Sequence, residues 1–263
     1  MSLLYEYQKN QYYQCIMKIK KNIKKAFKFF GYDLVKLRGG LGRGTFENEV
    51  IKILDDIKTD LVLDIGANKG QFAMALYDYG YKNKVLSFEP LSAIYEILKE
   101  NSKKNSLWHV YEKCCIGDTE KMVDINLSNL AGNSSILDIK STKYNVPDSH
   151  YIKKENVPQI TLATLNENIL IKHAKNIFVK MDIQGYEHYV LSQVPDVNYK
   201  INGFYLELSL INLYDDQKDY LYICNQLKEF GYDLVYVEPE YIRSNRMVQF
   251  NGLFLHKSLS YQI

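Results

Sequence analysis

The sequence predicts an α/β fold built on an open, mostly parallel sheet, and three stretches indicate it. Residues 61–65 form an apolar run that enters a glycine-containing turn, and a helix is predicted over residues 71–79. Residues 84–88 and 176–181 are two more short apolar runs, and each is followed by an acidic residue. Short aliphatic strands without alternation are typical of parallel strands buried on both faces. The carboxyl ends of such strands form a crevice that binds ligands.

The turn after the first strand indicates what the crevice binds. Its spacing, Asp64-x-Gly66-x-x-x-Gly70, differs from the three-glycine dinucleotide fingerprint. A carboxylate at the strand end would repel a phosphate, whereas a cationic or zwitterionic ligand is favoured. S-adenosylmethionine has an ammonium, a sulfonium and no phosphate, so its amino-acid end could lie here. An ordinary turn without a ligand is the alternative. The predicted contacts from this stretch are Asp64, Gly66, Asn68, Gly70 and Phe72.

Two acidic residues further along the chain extend the predicted nucleoside site. Glu89 lies after the second strand, where a carboxylate binds a ribose diol in nucleotide-binding sheets. It could instead cap the next helix, which Pro90 can start. Asp118 follows a strand predicted over residues 108–115 and is a candidate acceptor for the adenine amino group. The alternative is a turn aspartate.

Composition excludes several classes of function. The chain has 263 residues, 46% of them hydrophobic, and a net charge of only +2. No general attraction to nucleic acid or to a membrane surface is therefore implied. No apolar run approaches the roughly 20 residues of a membrane helix, and the start does not resemble a signal peptide. The four cysteines lack metal-site spacing, so we expect a cytoplasmic protein with reduced thiols.

The N-terminal region has a pattern of its own. Residues 2–30 carry apolar side chains at helical spacing and a basic opposite face, which favours a packed helix or an oligomer arm. A lid or a helix on a membrane surface is the alternative. Residues 39–44 form a glycine-rich connector without the Lys-Ser/Thr pair of a phosphate-binding loop. We therefore predict a helical extension over residues 1–58 and one domain over residues 59–263.

The second half of the chain supplies the remaining elements. Residues 128–156 are polar and rich in turn residues, so substrate recognition is predicted there, with Ser134 and Ser135 as candidates. One helix is predicted to follow the turn at residues 183–187 and to run through residue 194, and another over residues 213–230. The last strands, residues 232–237 and 252–256, are expected to pair as an antiparallel edge.

Several motifs occur in the order found in one family. Residues 62–70 (VLDIGANKG) are followed by 88–90 (FEP), 132–135 (GNSS), 161–162 (TL) and 179–187 (VKMDIQGYE). This order resembles the FkbM family of S-adenosylmethionine-dependent methyltransferases, over about residues 60–256. The resemblance implies a Rossmann-like class I methyltransferase fold, with a mostly parallel seven-stranded sheet and helices on both faces. It also implies S-adenosylmethionine as cofactor and O-methylation of a sugar, polyketide or other small hydroxylated metabolite.

One departure from the family motif affects the candidate catalytic residues. Gln184 stands where the motif usually has Glu, and an amide cannot take a proton at neutral pH. Asp182 is the first candidate base, because it ends a central strand at the crevice, although it could simply cap the next helix. Glu207 is second and His188 third, and His188 is more often a packed core residue. A divalent ion shared by the two carboxylates is the alternative. Gln184 and Glu187 are predicted substrate contacts.

The predicted function is an S-adenosylmethionine-dependent O-methyltransferase acting on a small metabolite. A nucleotide-activated sugar or a surface-polysaccharide intermediate is the favoured acceptor class. A methyltransferase acting on a macromolecule, or a cofactor-binding partner protein without catalysis, is the alternative. The basic residues Arg38, Arg43, Arg243 and Arg246 would have a role on the phosphates of a nucleotide-linked acceptor. The N-terminal helix is the expected contact of a homo-oligomer.

Overall fold

The computed structural model describes residues 37–38, 41–42, 46–145 and 149–260. The chain divides into two units, Met1–Asn48 and Glu49–Ile263. In the first unit, β1 (Leu37–Arg38) pairs with β2 (Leu41–Gly42) in an antiparallel ladder. The predicted N-terminal helix and most of the glycine-rich connector lie outside the described residues. The extension over residues 1–58 and its oligomer role therefore stay predictions.

The second unit holds the remaining elements in the following order. Its strands are β3 (Leu61–Ile65), β4 (Lys84–Phe88), β5 (Trp108–Val110), β6 (Cys115–Gly117), β7 (Lys121–Ser128), β8 (Tyr151–Thr161), β9 (Ile177–Met181), β10 (Ile201–Ser209), β11 (Tyr232–Arg243) and β12 (Arg246–His256). The helices, the first of which begins before Glu49, are α1 (Phe46–Asp56), α2 (Gln71–Asp78), α3 (Ser92–Ser102), α4 (Ile169–His173), α5 (Glu187–Leu191), α6 (Tyr220–Glu229) and α7 (Lys257–Ser260). In the described part of the chain, no helix combines the length and the apolarity that crossing a bilayer requires.

Seven strands form the central sheet, in the order β11-β12-β10-β9-β3-β4-β5. The five strands from β10 to β5 are parallel, and β12 is antiparallel to both β10 and β11. The predicted mostly parallel sheet with an antiparallel pair of last strands is confirmed. A second sheet has three strands in the order β6-β8-β7.

The strand order reverses between β3 and β9, which are neighbours in the sheet. From β3 the chain moves outward through β4 to β5, and from β9 it moves the other way to β10. Right-handed crossovers in opposite directions place their helices on opposite faces of the sheet. A crevice opens at such a reversal, beyond the carboxyl ends of the strands. The fold therefore places any ligand site next to the ends of β3 and β9.

Two predicted strand boundaries are wrong. The strand predicted over residues 108–115 is two strands, β5 and β6, which lie in different sheets. The break falls in the polar stretch 111–113, which has no strand structure. The stretch predicted as a loop over residues 128–156 contains the start of β8, which pairs with β7. The first residues of β8 are mostly exposed and several are charged. Because a buried parallel strand is expected to be apolar, the sequence pattern predicts a loop for this stretch.

Two predicted helices are shorter than expected. The helix predicted over residues 213–230 begins only at Tyr220, where the Asp219 side chain accepts a hydrogen bond from the Tyr222 amide. The preceding chain is a turn, in which the Gln217 side chain accepts the amides of Leu213 and Tyr214. The helix expected to run to residue 194 ends at Leu191. In both cases a local side-chain or Pro-containing turn replaces helical hydrogen bonds.

Candidate active site

Two open cavities lie at the carboxyl edge of the central sheet. Cavity A has about 730 Å³ of empty space, which includes space open to solvent, and its lining includes Glu89, Pro90, Leu91, Ile94, Ile116, Ser134, Ile136, Gln184 and Tyr186. Cavity B has about 740 Å³ on the same measure, and its lining includes Gln71, Phe72, Lys180, Tyr205, Glu207, Glu240 and Asn251. Gly66, Asn68 and Asp182 line both cavities. The glycine turn and the end of β9 therefore form the boundary between them.

The two glycines of the turn are fixed by their neighbours in the fold. Gly66 has φ +72°, and a Cβ there would lie 1.9 Å from the carbonyl oxygen of Asp182. Gly70 has φ +88°, and a Cβ there would lie 2.3 Å from the Trp108 ring. The sequence predicts that both glycines contact the ligand. In the structure, Gly66 allows the close approach of the Asp182 backbone, and Gly70 allows the close packing of Trp108.

Glu89 joins the turn to the second strand and faces cavity A. Its carboxylate accepts the backbone amides of Asn68 and Leu91, each at 2.9 Å. Burial raises the pKa of Glu89 to about 7. The hydrogen bond from the Leu91 amide holds the residue that precedes α3. Glu89 therefore also stabilises the start of this helix, as the capping alternative proposed. Each carboxylate oxygen retains acceptor capacity, so Glu89 can also accept from a ligand hydroxyl.

Asp64 lies beneath the turn rather than on a cavity wall. It is fully buried in β3, opposite Lys180 on β9 and Ser87 on β4. Its carboxylate lies 3.4 Å from the Lys180 ammonium and accepts the Ser87 hydroxyl at 3.1 Å. Burial raises the pKa of Asp64, and the charge of Lys180 opposes the shift. Lys180 also donates to the Gly66 carbonyl at 2.9 Å, so Asp64 acts on the turn through Lys180.

Asp182 and Glu207 meet because β9 and β10 are parallel and in register, with Met181 opposite Leu206. The residues that follow this pair therefore lie side by side. Between them stands Gln184, whose Nε2 donates to Asp182 Oδ1 at 2.8 Å and to Glu207 Oε2 at 3.0 Å. The sequence-predicted bases are thus brought together, and the predicted substrate contact Gln184 bridges them.

Two further side chains complete this carboxylate cluster. The Tyr214 hydroxyl donates to Gln184 Oε1 at 2.6 Å, and Gln249 Nε2 donates to Glu207 Oε2 at 2.7 Å. Burial, and next the charge of Asp182, raise the pKa of Glu207 well above its usual value. Proton uptake by Glu207 relieves the repulsion between the two acids. Asp182, which is partly exposed, is the acid that faces both cavities.

Two predicted site residues on α5 lie away from the cavity walls. Glu187 is buried, and its Oε1 accepts the amides of Ile183 and Gly185 at 3.1 and 3.3 Å. His188 is also buried, with its ring centroid 3.8 Å from that of Tyr189. Burial lowers the pKa of His188 to about 4. Glu187 therefore holds the turn that carries Gln184, and His188 packs in the core.

The Glu187 carboxyl group gives a testable pH dependence of stability. Burial raises its pKa from the usual 4.5 to about 7. The stability it contributes is therefore fully present below pH 4.5 and is lost as the pH rises through 7. In Glu187→Gln, an amide oxygen still accepts the two backbone amides. We expect urea unfolding to show this variant gaining on the wild type by on the order of 3 kcal/mol across that window. A difference in unfolding free energy between the two proteins that does not change with pH would contradict the assignment. Glu89 titrates in the same range, but its contribution cancels because both proteins contain it.

The remaining predicted residues occupy different positions around the two cavities. Asp118 is not in either lining, but it accepts a hydrogen bond at 3.2 Å from Tyr186, whose side chain lines cavity A. Ser134 lines cavity A, and the Ser135 hydroxyl donates to the Gln184 carbonyl at 2.8 Å. Phe72 stacks on Tyr205, with ring centroids 5.6 Å apart. Phe72, Ser134 and Ser135 line the cavities, while Asp118 is connected to cavity A through Tyr186.

Sequence reasoning missed Lys180, Tyr214 and Gln249. Lys180 had a signal, because a single lysine inside the apolar strand β9 requires a buried partner. Tyr214 and Gln249 had none, since they come from the turn after β10 and from the antiparallel strand β12. Their contacts with Gln184 and Glu207 depend on long-range pairing.

The cavities suit S-adenosylmethionine better than a phosphate-bearing nucleotide. Cavity A combines apolar walls with the Glu89 carboxylate, which fits a flat base and a ribose. Cavity B contains three carboxylates, and its one ammonium group, on Lys180, is already paired with Asp64. Among the described residues, no arginine lines either cavity. The described residues also contain no cluster of three or more His, Cys, Asp or Glu side chains arranged to hold a metal ion.

Comparisons with known proteins give a family and a fold. The model of the methyltransferase FkbM domain matches residues 64–234, more than half of the chain. A 160-residue stretch is 28% identical to the 4-hydroxy-tetrahydrodipicolinate reductase of Wigglesworthia glossinidia brevipalpis, covering 59% of this chain. The chain spans 56% of the length of that curated relative.

Similar solved structures include methyltransferases of different kinds. The magnesium protoporphyrin IX methyltransferase of Synechocystis, solved with bound S-adenosylmethionine, has a TM-score of 0.42 and 9% identity, covering 80% of this chain and 77% of that one. A precorrin-6y C5,15-methyltransferase from Geobacter metallireducens has a TM-score of 0.40 and 9% identity, covering 84% and 94%. A provisionally assigned RNA methyltransferase from Pyrococcus horikoshii has a TM-score of 0.42 and 11% identity, covering 80% and 81%.

The sequence, the sheet and the family match agree. The seven-stranded sheet with its antiparallel last strands is the Rossmann-like methyltransferase fold that the resemblance implied. The family model covers the glycine turn, Glu89 and the whole carboxylate cluster except Gln249. The chain therefore belongs to the methyltransferase FkbM family.

Proposed function

We propose that the protein is an S-adenosylmethionine-dependent O-methyltransferase acting on a hydroxyl group of a small metabolite. The observation that carries the proposal is the position of Asp182. This residue lines both a cavity suited to a nucleoside and a second, polar cavity. A base at that boundary can reach an acceptor hydroxyl beside a bound methyl donor.

The residues around cavity A would hold the nucleoside part of the cofactor. Glu89 would accept the ribose hydroxyls, and Pro90 and Tyr186 would flank the base. Asp118 would approach the adenine amino group from behind Tyr186, to which it is hydrogen-bonded. The backbone at Gly66 and Asn68, with Phe72 beside it, would hold the methionine part at the entrance to cavity B. When bound, the cofactor supplies an electrophilic methyl group.

The chain's own side chains would handle the acceptor proton. A sugar hydroxyl is a weak nucleophile, so removal of its proton in the transition state accelerates the transfer. Asp182 takes this proton on its carboxylate, and Glu207 is the neighbouring acid that could replace it. Lys180 keeps the Gly66 carbonyl fixed, which maintains the boundary between the cavities.

The Glu89 assignment predicts a loss of cofactor affinity. Hydrogen bonds to a charged group contribute about 1.5–3 kcal/mol each. We therefore expect Glu89→Gln to weaken binding of S-adenosylhomocysteine roughly 10- to 100-fold by calorimetry. The matched control is Glu96→Gln, because Glu96 is an exposed residue of the adjacent helix α3. Equal affinity in the wild type and Glu89→Gln would refute the ribose contact.

A nucleotide-activated sugar or a surface-polysaccharide intermediate, as in capsule biosynthesis, is the acceptor class we propose. Arg243 and Arg246 face each other at the end of the β11–β12 hairpin. This end projects from the sheet edge that carries the active site, because β12 begins opposite the carboxyl end of β10. Arg246 donates to the Tyr144 hydroxyl at 3.2 Å and Arg243 to the Lys143 carbonyl at 2.9 Å. Guanidinium groups suit the phosphates of a nucleotide-linked sugar.

The direct test is a screen of nucleotide-sugars, free sugars and polyketide alcohols with S-adenosylmethionine. The readouts are S-adenosylhomocysteine release and the mass of a methylated product. Methylation of a nucleotide-sugar, with a higher KM in Arg246→Gln, would support the acceptor class. Cofactor binding without any methylated product would favour a non-catalytic partner protein. Methylation confined to RNA or protein would favour a macromolecular acceptor.

A further inference from the structure

Gln184 is held at both its side chain and its backbone. The amide nitrogen donates to Asp182 and Glu207, and the amide oxygen accepts from Tyr214. The backbone has φ +55°, and its carbonyl accepts the Ser135 hydroxyl. Ionised carboxylates only accept hydrogen bonds, so the NH₂ end must face the two acids. The Gln184 side chain therefore has one orientation in which every partner is satisfied.

The charges around Gln184 explain why a neutral donor suits this position. The titratable groups that face the cluster are Tyr151, Lys180, Asp182, Glu187, Glu207, Tyr214 and Glu240. A glutamate at position 184 would place a third carboxylate within about 3 Å of two others, as the amide distances imply. Three such groups cannot all be ionised near neutral pH. At least one proton would then be shared among Asp182, Glu207 and residue 184.

We propose that Gln184 is a positioning residue, whose neutral amide holds Asp182 and Glu207 as two acceptors and keeps Asp182 ionised as the base. This inference rests on the proposed function, in which Asp182 takes the acceptor proton. Catalysis is retained, since the proton acceptor is Asp182 and the amide only donates to it.

The first test is the pH dependence of turnover in Gln184→Glu and Gln184→Met, in the full-length protein. We expect the acidic limb of the kcat profile to move upward by about one pH unit in both variants. For Gln184→Glu, kcat should fall by up to about tenfold at pH values below the wild-type midpoint of that limb and recover at higher pH, with the cofactor KM changed less than about twofold. Gln193→Glu, which adds a carboxylate outside both cavity linings, should leave the profile in place. A fall in kcat at every pH, without displacement of the limb, would reduce Gln184 to a structural residue and overturn the proposal.

A second readout does not depend on turnover. Carboxyl ¹³C NMR can follow the titration of Glu207, with its signal assigned from Glu207→Gln. Its midpoint should lie higher in Gln184→Glu and Gln184→Met than in the wild type, and an unchanged midpoint would overturn the proposal. A wild-type protein that makes no methyl product would refute the proposed function instead. The two failures are therefore distinguishable.

Discussion

Replacing Asp182 by asparagine is expected to lower kcat by about 10²- to 10⁴-fold, the range that a general base contributes. The substitution keeps the size of the side chain and its acceptor oxygen for Gln184. It removes the group that would take the acceptor proton at the boundary of cavities A and B. Affinity for S-adenosylhomocysteine should change only a few-fold, because Glu89 and the glycine turn are untouched. Initial-rate kinetics and calorimetry on the same preparation measure both quantities.

The control for this substitution is Asp196→Asn. Asp196 is an exposed carboxylate in the short 3-10 helix after α5 and is in neither cavity lining. We expect it to retain wild-type kcat. If Asp182→Asn keeps more than about a tenth of wild-type kcat, Asp182 is not the base. A much larger loss in Glu207→Gln would then transfer the role to Glu207.

Replacing Gly66 by alanine is expected to produce the largest loss of stability. The new Cβ would lie 1.9 Å from the Asp182 carbonyl oxygen and 2.9 Å from the Asp182 carbonyl carbon. Both are backbone atoms of a buried strand end, so no side-chain rotation can relieve the overlap. The positive φ adds roughly 1–2 kcal/mol of strain. We expect at least about 4 kcal/mol of lost unfolding free energy, or no folded protein at all.

Gly80→Ala is the matched control, because it separates backbone strain from steric overlap. Gly80 has φ +101°, but a Cβ there would meet no atom within 4 Å. This variant should therefore lose only the strain contribution, roughly 1–2 kcal/mol. Urea denaturation of the wild type and both variants gives the comparison. Equal losses of unfolding free energy in Gly66→Ala and Gly80→Ala would contradict the close contact between Gly66 and the Asp182 backbone.

Local sequence determined the skeleton of this protein. Short apolar strands that end in acids identified β3, β4 and β9, and parallel strands bring their carboxyl ends to one edge of a sheet. The sequence therefore predicts Asp182 and Glu89 at that edge without any knowledge of tertiary contacts. The glycine spacing and the strand-end acid also favoured S-adenosylmethionine over a dinucleotide. The positions of these two acids could be predicted because each depends on a few consecutive residues and on sheet geometry, whereas the choice of S-adenosylmethionine stays a prediction.

Tertiary structure decided which acids face the cavities and which are paired below them. Asp64 has a sequence context similar to that of Asp182, yet it is buried within β3, where the register places it opposite Ser87 on β4 and Lys180 on β9. The amide of Gln184 forms a bridge because Glu207 and Tyr214 reach it from a strand and a turn, while Gln249 on the antiparallel neighbour holds Glu207. Hydrogen bonds between residues 23 to 42 positions apart depend on strand register, which a local pattern does not specify.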